Sequence, residues 1–429
     1  IEVEITGKKA DQATIIYTRL DPNQTDVLIE KKIKMVPFET QENYFGYEIF
    51  NVDHEMKYYI VVNETESEHF TVKVFDVPKV EDIEISYSFP AYTKMKPVIQ
   101  RGNGDIRAIV GTEATVRIMP NKPIQTATIQ IGGNEQKSMQ IDELITYQAE
   151  ILENTKYTVD LFCIDGFKNQ IPIEYEIIAI PDKKPEVAIK KPGRDIKATK
   201  LEEVSVTAEA TDEFGLAELD LTYSVGSSAN RQLPIETSLT ETDKNISRSY
   251  TFYLEEIDIE PGDVISYFAE ATDNNTRTGP GKATSQIYFI EVKPFNERYE
   301  EMDSQGESQD ENSPAVKLMA KLAGDQKQII RETWKHINSQ TDKIEYTSEV
   351  KKTAKKQEKL KDQVQRAVDE IGAFMQEGSV DPEILMLLEQ AIDTMGEAAG
   401  NLGRIEPKPA LPAEQDALEL VVKAIMKLQ

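Results

Sequence analysis

The side chains that could act as nucleophiles, general bases or zinc ligands are few in this sequence and lie far apart. Its 429 residues include three histidines, His54, His69 and His336, and one cysteine, Cys163. None of them has a neighbour at the short spacing that zinc-binding and hydrolytic motifs require. Cys163 falls on the apolar side of an alternating run that starts at Tyr157, which indicates a core residue. The sequence therefore predicts no catalytic residue, no cofactor and no metal ligand, and a chain that is not an enzyme.

Two acidic turns and one glycine-rich loop are the remaining candidates for binding chemistry. The segments Asp212-Glu213 and 273–275 (Asp-Asn-Asn) carry the oxygen ligands that calcium prefers, but without the spacing of an EF-hand. Aspartate and asparagine are also common in turns, because their side chains hydrogen-bond to nearby backbone amides. We interpret both segments as turns, with calcium binding as the alternative. The loop 102–105 (Gly-Asn-Gly-Asp) matches no phosphate-binding motif and is also interpreted as a turn.

The net charge limits the classes of partner. Acidic residues number 76 and basic residues 49, which gives a formal net charge of −27 at pH 7. Such a charge repels phosphate backbones and anionic lipids, so neither nucleic acid nor an anionic membrane surface is an expected partner. A single cysteine allows no disulfide within the chain, so packing must stabilise the fold.

The positions of these residues depend on the secondary structure, which in the first part of the chain is β. From Ile1 to about Phe295 apolar residues alternate with polar ones, as in the run from Leu219 to Val225. Turn signals such as 132–134 (Gly-Gly-Asn) and 261–263 (Pro-Gly-Asp) separate the runs at short intervals. This pattern is typical of antiparallel sandwiches rather than of alternating strands and helices.

A weak internal repeat divides this β region. Tyrosine-bearing strands begin near Lys57, Lys156 and Val264, and each is followed by a polar turn and a last strand. The tyrosines could form the tyrosine corner of immunoglobulin-like folds or could simply fill a core. Each last strand leads into a proline, which suits the exit from a sheet because proline cannot donate to a ladder; these prolines are Pro78, Pro181 and Pro294. We predict tandem immunoglobulin-like β-sandwich modules at 1–78, 79–182 and 183–295, and leave open whether the first is complete.

The rest of the chain is predicted to be a linker and an all-α domain. Residues 296–313 are acidic and almost free of apolar side chains, which predicts a linker. From 314 to 429 the apolar residues recur with a helical period, which predicts about four helices. The third begins at Asp381-Pro382, an N-cap followed by proline at the first helical position, and the fourth begins near Pro412. Whether the helices pack on the sandwiches is left open.

Three features of the sequence could serve recognition. Trp334 and Tyr92 could be anchors for a partner, although burial in a local core is the preferred interpretation for both. The second helix is rich in lysine from Lys351 to Lys361. That face is interpreted as a solvated surface, with an acidic partner as the alternative.

From about residue 80 onward, several motifs occur in a recognisable order. They are 89–93 (Phe-Pro-Ala-Tyr-Thr), 104–106 (Gly-Asp-Ile), 111–112 (Gly-Thr), 212–216 (Asp-Glu-Phe-Gly-Leu), 261–263 (Pro-Gly-Asp), 267–273 (Tyr-Phe-Ala-Glu-Ala-Thr-Asp), 287–289 (Ile-Tyr-Phe), 294–295 (Pro-Phe), 326–330 (Gln-Lys-Gln-Ile-Ile), 333–334 (Thr-Trp) and 411–415 (Leu-Pro-Ala-Glu-Gln). In these motifs the chain resembles a family of large membrane-anchored bacterial proteins of unknown function, often encoded near MoxR-type AAA ATPases and von Willebrand A-domain proteins. The resemblance implies extracytoplasmic immunoglobulin-like modules and a helical region, and brings no catalytic residues. Residues 1–79 are assigned only by the internal repeat.

These observations predict a non-enzymatic scaffold or protein-interaction region of a membrane-anchored envelope protein, located in the periplasm or elsewhere outside the cytoplasm. The expected partners are envelope proteins, including an ATPase-linked assembly system, and the expected membrane contact is made by a segment outside this chain. The alternative is a surface adhesin or carbohydrate-binding protein, for which rows of exposed aromatic side chains are expected. A third hypothesis is that another chain completes an enzyme with the helices. The start at Ile1 and the helical pattern that continues to Gln429 favour a fragment of a longer protein.

Overall fold

The structure is a computed structural model, and it shows immunoglobulin-like β-sandwiches followed by four helices, which confirms the predicted fold class. The residues that it describes are 1–21, 24–39, 42–133, 135–141, 144–234, 243–295, 314–339, 343–375 and 381–428. The predicted linker, 296–313, lies outside them. The domain boundaries given above stay predictions, and "first", "second" and "third module" refer to those ranges below.

The first module has two sheets of short strands. One sheet has the order β1-β5-β4, and the other has the order β3-β2-β6-β7 with β8 also paired to β6. Its core contains Ile15, Tyr17, Phe45 and Ile60. The strands are β1 (Glu2–Glu4), β2 (Thr14–Asp21), β3 (Gln24–Lys34), β4 (Val36–Pro37), β5 (Tyr44–Gly46), β6 (Met56–Val62), β7 (Thr65–Glu66) and β8 (Phe70–Val72).

The second module is a sandwich of two five-stranded sheets, in the orders β10-β9-β12-β16-β15 and β11-β18-β17-β13-β14. Strands are antiparallel except β11, which runs parallel to β18. The strands are β9 (Val80–Ser88), β10 (Val98–Arg101), β11 (Ile106–Ile109), β12 (Thr112–Pro120), β13 (Ile124–Ile131), β14 (Glu135–Ser138), β15 (Gln140–Ile141), β16 (Ile145–Ile151), β17 (Thr155–Cys163) and β18 (Glu174–Ile180). In β17 every second residue from Tyr157 to Cys163 is buried, so the predicted core position of Cys163 is confirmed.

The third module repeats this connectivity. Its sheets have the orders β19-β21-β24 and β20-β27-β25-β22-β23, with β26 also paired to β25 and with β20 parallel to β27. The strands are β19 (Glu186–Lys191), β20 (Ile196–Thr199), β21 (Glu203–Thr211), β22 (Leu216–Val225), β23 (Arg231–Pro234), β24 (Asn245–Tyr253), β25 (Val264–Asp273), β26 (Lys282–Thr284) and β27 (Tyr288–Lys293). The second and third modules connect their strands in the same order, which explains the weak sequence repeat between them.

In the second and third modules the tyrosines of the repeated strands are core residues, whereas Tyr58 and Tyr59 of the first module are half-buried. In the second module the buried Tyr157 hydroxyl donates to the carbonyl of Gly104 at 2.6 Å. In the third module the equivalent Tyr267 is fully buried, and its hydroxyl has no hydrogen-bond partner in the described part of the chain. Burial accounts for both tyrosines, and the hydroxyl of Tyr267 does not form the hydrogen bond of a tyrosine corner.

Four helices follow: α1 (Pro314–Asn338), α2 (Lys343–Met375), α3 (Pro382–Gly403) and α4 (Pro407–Leu428). The predicted N-cap of α3 is confirmed, because the Asp381 side chain accepts a hydrogen bond from the Glu383 amide at 3.0 Å. The predicted start of α4 near Pro412 is wrong, since this helix begins at Pro407 and includes Pro412. Proline is tolerated there because the carbonyl that loses its partner belongs to Lys408, which is exposed to solvent.

The helices pack directly on the third module. Val264, Phe268, Ile287 and Phe289 of the sandwich belong to the same hydrophobic cluster as Trp334, Leu360, Leu388 and Val421 of the helices. For this reason β25 is buried on both faces, whereas β17 shows the alternation of a strand with one solvated face. The arrangement that the sequence left open is thus a shared core. Among the described residues, no helix has the length and apolar character needed to cross a membrane.

Candidate protein-interaction site

The described residues form two tightly packed junctions, one between the second and third modules and one between the third module and the helices. At the first junction Tyr92 is buried and meets the ring of Phe214 edge-on, with 5.8 Å between ring centroids. Its backbone carbonyl accepts a hydrogen bond from the Asn274 side chain at 3.3 Å. The interpretation of Tyr92 as a core residue is confirmed, although the core that it joins bridges two modules.

Both acidic segments form hydrogen-bonded turns at this junction. Asp212 accepts from the amides of Phe214 and Gly215 at 2.7 and 2.8 Å, as its place in a turn predicts. Asp273 is buried and accepts from the amides of Asn275 and Gly281 at 2.9 and 3.0 Å. Within the described ranges, no group of three or more His, Cys, Asp or Glu residues has the geometry to hold a metal ion.

The negative charges of the carboxylates at this junction repel one another. Burial raises the pKa of Asp182, and the negative charges of Asp273 and Asp212 raise it further. Burial also raises the pKa of Asp273, while the amides of Asn275 and Gly281 partly offset this effect. Backbone amides stabilise the carboxylate of Asp273, and the side-chain amide of Asn275 donates to Asp182 at 2.9 Å, so the turn holds its shape.

An ion pair also joins the two modules. The guanidinium of Arg277, in the third module, donates through Nε at 2.8 Å and also through Nη2 to one carboxylate oxygen of Glu150, in the second. The Arg277 side chain passes over Gly111, whose φ of +87° favours glycine. A Cβ at Gly111 would come within 2.6 Å of Arg277 Cγ. Glycine is therefore the residue that allows the close approach.

We expect Arg277→Glu to loosen the second module relative to the third, because it places a carboxylate against Glu150. The effect on the free energy of unfolding should be small, since the pair is partly exposed. The distribution of distances between spin labels on the two modules, measured by double electron–electron resonance, should broaden. The double variant Arg277→Glu/Glu150→Arg restores opposite charges and should narrow the distance distribution again. Equal widths in all variants would show that the ion pair does not fix the angle between the two modules.

At the second junction Trp334 is the central contact. Its ring lies 4.3 Å from the ring of Phe268 between centroids. Its indole nitrogen donates to the backbone carbonyl of Ser285 at 2.8 Å. The side chain is only 9% exposed, so its interpretation as a core residue is confirmed.

Two cations of α1 reach across to the sheet. Arg331 donates to both carboxylate oxygens of Asp195 at 2.6 Å, and Lys327 donates to Glu291. Both cations also lie over the ring of Phe289, at 5.5 and 5.8 Å from its centroid. These paired charges fix the direction in which α1 crosses the sheet, because each needs a specific partner when it is desolvated.

Helix α4 makes the other polar contacts to the sandwich. Gln415 donates to the hydroxyl of Ser266 at 2.6 Å. Lys423 forms ion pairs with Asp263 at 3.0 Å and with Glu419 at 2.6 Å. Residues of both β25 and the loop that precedes it are therefore held by one helix.

A buried carboxyl lies among the helices. Glu414 is fully buried, and one of its oxygens accepts from the Thr333 hydroxyl at 2.7 Å, while the other has no hydrogen-bond partner among the residues that the structure describes. Burial raises the pKa of Glu414 to about 8. Beside it, the side-chain amides of Gln326 and Gln357 hydrogen-bond to each other. The carboxyl is therefore protonated at neutral pH, which removes the cost of burying a charge.

An open cleft of ≈ 990 Å³ lies between the third module and the first two helices. The segment 284–287, which connects β26 to β27, forms one wall, and α1 and α2 form the others. His336 lines it and hydrogen-bonds to the Thr353 hydroxyl at 2.9 Å, and burial lowers the pKa of this histidine. Its open shape suits a segment of a protein partner better than a small molecule enclosed on all sides.

The three histidines and the cysteine lie in different surroundings in the structure. His54 is paired with Asp53 at 3.0 Å, and His69 stacks on Tyr59, both in the first module. Cys163 is buried in the second module, and His336 lines the cleft. The structure therefore brings none of the three histidines to the cysteine.

Sequence reasoning missed the polar residues that connect the helices to the sandwich. Glu291 and Phe289 lie on the face of β27 opposite to Ile290 and Val292, and all four are buried. A buried acidic residue in an otherwise apolar strand indicates that another element covers the strand there and supplies a basic partner. Lys327 supplies that partner, 36 residues along the chain.

No protein-family model and no curated protein matches the chain. The chain is similar over part of its length to several solved structures. These include the fibronectin(III)-like modules of Clostridium thermocellum CbhA (14% identity, 44% of this chain and 90% of that chain, TM-score 0.16), a structure of a 1.5-MDa bacterial ice-binding adhesin (9%, 68% and 90%, 0.25) and Dpr2 Ig1-Ig2 in complex with DIP-Theta Ig1-Ig3 (12%, 64% and 89%, 0.21). At such low identity and TM-score, these likenesses identify neither a family nor an activity.

Proposed function

We propose that this chain is the extracytoplasmic scaffold and protein-interaction region of a membrane-anchored bacterial envelope protein. The observation that carries the proposal is the shared core of the third module and the helices. Because both contribute walls to the cleft, its shape is fixed by packing and does not depend on a linker. A rigid, open cleft formed by two kinds of element suits the docking of a protein segment.

The cellular part of the proposal comes from the sequence motifs. Several of them meet at the two junctions: Tyr92, Gly111 and Asp212 at the first, and Phe268 and Trp334 at the second. Their role in joining the modules supports the resemblance in architecture. The periplasmic location, the anchor outside this chain and the link to an ATPase-associated assembly system are proposals that follow from that resemblance.

Binding of a surface ligand by the first module is the second candidate function. Four phenylalanines there, Phe38, Phe50, Phe70 and Phe75, expose between 39% and 71% of their surface. Phe70 also stacks on Tyr58, with 5.3 Å between centroids. Exposed rings of this kind are suited to sugar faces or to apolar protein surfaces. Binding to a glycan array that Phe70→Ala abolishes would support this function.

Deleting the helices is a poor test of the scaffold function, because it would expose Phe268 and Phe289 and destabilise the third module. We instead expect a photo-crosslinking amino acid at Lys335, which lines the cleft, to capture an envelope protein in intact cells. The same amino acid at Glu389, an exposed position of α3 outside the cleft, is the control. Capture of the same proteins from both positions, or of none from Lys335, would contradict docking in the cleft.

A further inference from the structure

The surface of α2 beside the cleft carries an unusual concentration of positive charge. Residues 351–361 (Lys-Lys-Thr-Ala-Lys-Lys-Gln-Glu-Lys-Leu-Lys) contain six lysines and one glutamate, in a chain whose formal net charge is −27. Three of these lysines, Lys351, Lys355 and Lys359, are spaced four residues apart. They therefore lie on one line of the helix, over a length of about 12 Å. We call these three residues the lysine ridge.

The ridge is exposed, and its lysines have no ion-pair partner among the described residues. All three side chains are exposed, and none of them forms an ion pair within the part of the chain that the structure describes. Their neighbours do have carboxylate partners: Lys352 pairs with Glu349 at 2.5 Å. Like charges four residues apart destabilise a helix. The ridge is therefore a feature that helix stability by itself does not favour.

Packing on the opposite side holds the ridge in place. Val350, Gln357 and Leu360 of the same helix segment are buried against the other helices. Next to the ridge, Lys352 and Lys356 line the cleft. Lys351 and Lys355 each precede one of these lysines by one residue, so the ridge is displaced from the cleft by about 100° around the helix axis, on the solvent side of α2.

The chemistry of this face favours an acidic protein over an anionic membrane. Between Lys351 and Lys361 the apolar residues are Ala354, which is half-buried, and Leu360, which is buried, so neither offers an exposed apolar group for insertion into lipid. The net charge of −27 also repels an anionic membrane over the whole chain. A short acidic segment, in contrast, meets only the local positive charge of the lysine ridge. In an extended strand every second residue lies about 6.6 Å further along, which is close to the spacing of about 6 Å between the ridge lysines.

We propose that the lysine ridge is the docking surface for a partner segment with a run of aspartates and glutamates, which enters the cleft beside it. This inference rests on the proposed function and specifies the partner class. It assigns attraction and orientation of the partner to the ridge and the shape of the binding site to the cleft.

The test uses a fluorescein-labelled decaglutamate peptide, the full chain and fluorescence anisotropy at low and high salt. The variant Lys351→Glu/Lys355→Glu/Lys359→Glu should bind the peptide at least about tenfold more weakly, since three exposed charge pairs are lost. The control Lys8→Glu/Lys73→Glu/Lys183→Glu makes the same change in net charge at exposed lysines elsewhere and should retain the affinity within about twofold. High salt should abolish the difference in peptide affinity between the wild type and the ridge variant.

Three results would overturn the inference: equal loss in both triple variants, tighter ridge-dependent binding to phosphatidylserine vesicles than to the peptide, or ridge-dependent self-association. The glutamine triple at the same positions should lose affinity in the same direction, and circular dichroism checks that all variants fold. If crosslinking from Lys335 succeeds while peptide binding does not depend on the ridge, the partner class is wrong and the proposed function stands. If crosslinking fails as well, both are wrong.

Discussion

Trp334→Ala should lower the free energy of unfolding of the third module with its helices by about 3–5 kcal/mol. The substitution removes a ring that packs on Phe268 and leaves a cavity in the core that the sheet and the helices share. It also leaves the carbonyl of Ser285 without its indole donor. Because these contacts join two kinds of element, the loss should affect both of them together.

The measurement is urea unfolding followed by circular dichroism at 222 nm, which reports on the helices. Trp334→Phe is the matched control, because it keeps an aromatic ring but loses the hydrogen bond. Loss of the hydrogen bond should lower the free energy of unfolding by only about 1–2 kcal/mol, in addition to the effect of the smaller ring. The chain has one tryptophan, so fluorescence of the wild type reports on this junction alone. In wild type the fluorescence transition should coincide with the loss of helical signal; a fluorescence change well before it would show that the junction opens while the helices remain folded.

Glu414→Gln should stabilise the helices on the third module at alkaline pH and have little effect in acid. Burial raises the pKa of Glu414 from 4.5 to about 8, so the folded protein holds a proton that the unfolded chain has released between these two values. Stability should therefore fall as the pH rises from about 4.5 to about 8 and stay lower above that range. Glutamine is neutral throughout and can still accept the hydrogen bond from Thr333.

The difference between wild type and Glu414→Gln should grow with pH and reach about 3–5 kcal/mol near pH 9, from 1.4 kcal/mol per pKa unit. Urea unfolding at pH 5, 7 and 9 measures it, and taking the difference at each pH cancels the other titrating groups. Glu389→Gln, at an exposed position of α3, removes the same formal charge and should leave the profile of the wild type unchanged. A constant difference at all three pH values would show that Glu414 ionises without a penalty in the folded state.

The fold class was predictable because its signals are local. In β17 the alternation from Tyr157 to Cys163 directly gives the buried face, and Asp381-Pro382 gives the start of a helix through its own capping hydrogen bond. The start of α4 was harder, because proline is common at the first helical position and 407–412 holds three prolines. Here tertiary packing of Ala410 and Ala413 extends the helix back to Pro407.

Most of the candidate site could not be predicted from local sequence patterns. Trp334 was recognisable as an apolar helix residue, but its partners Phe268 and Ser285 belong to a strand and a loop of the preceding module. The cleft and the paired charges of Lys327 and Arg331 depend on the same docking. The lysine ridge was visible as a sequence pattern, whereas its place next to the cleft was not.

By itself, the sequence determined the β-modules, the four helices and which side chains of each element are apolar, because periodicity reflects the geometry of a single strand or helix. Only the tertiary structure decided that the helices cover β25 and β27, so that one core contains Phe289 and Val421. The physical reason is that burial of apolar surface is non-directional. A strand or helix shows which face must be covered, and the covering partner is selected by shape and by long-range charge pairs such as Lys327 with Glu291.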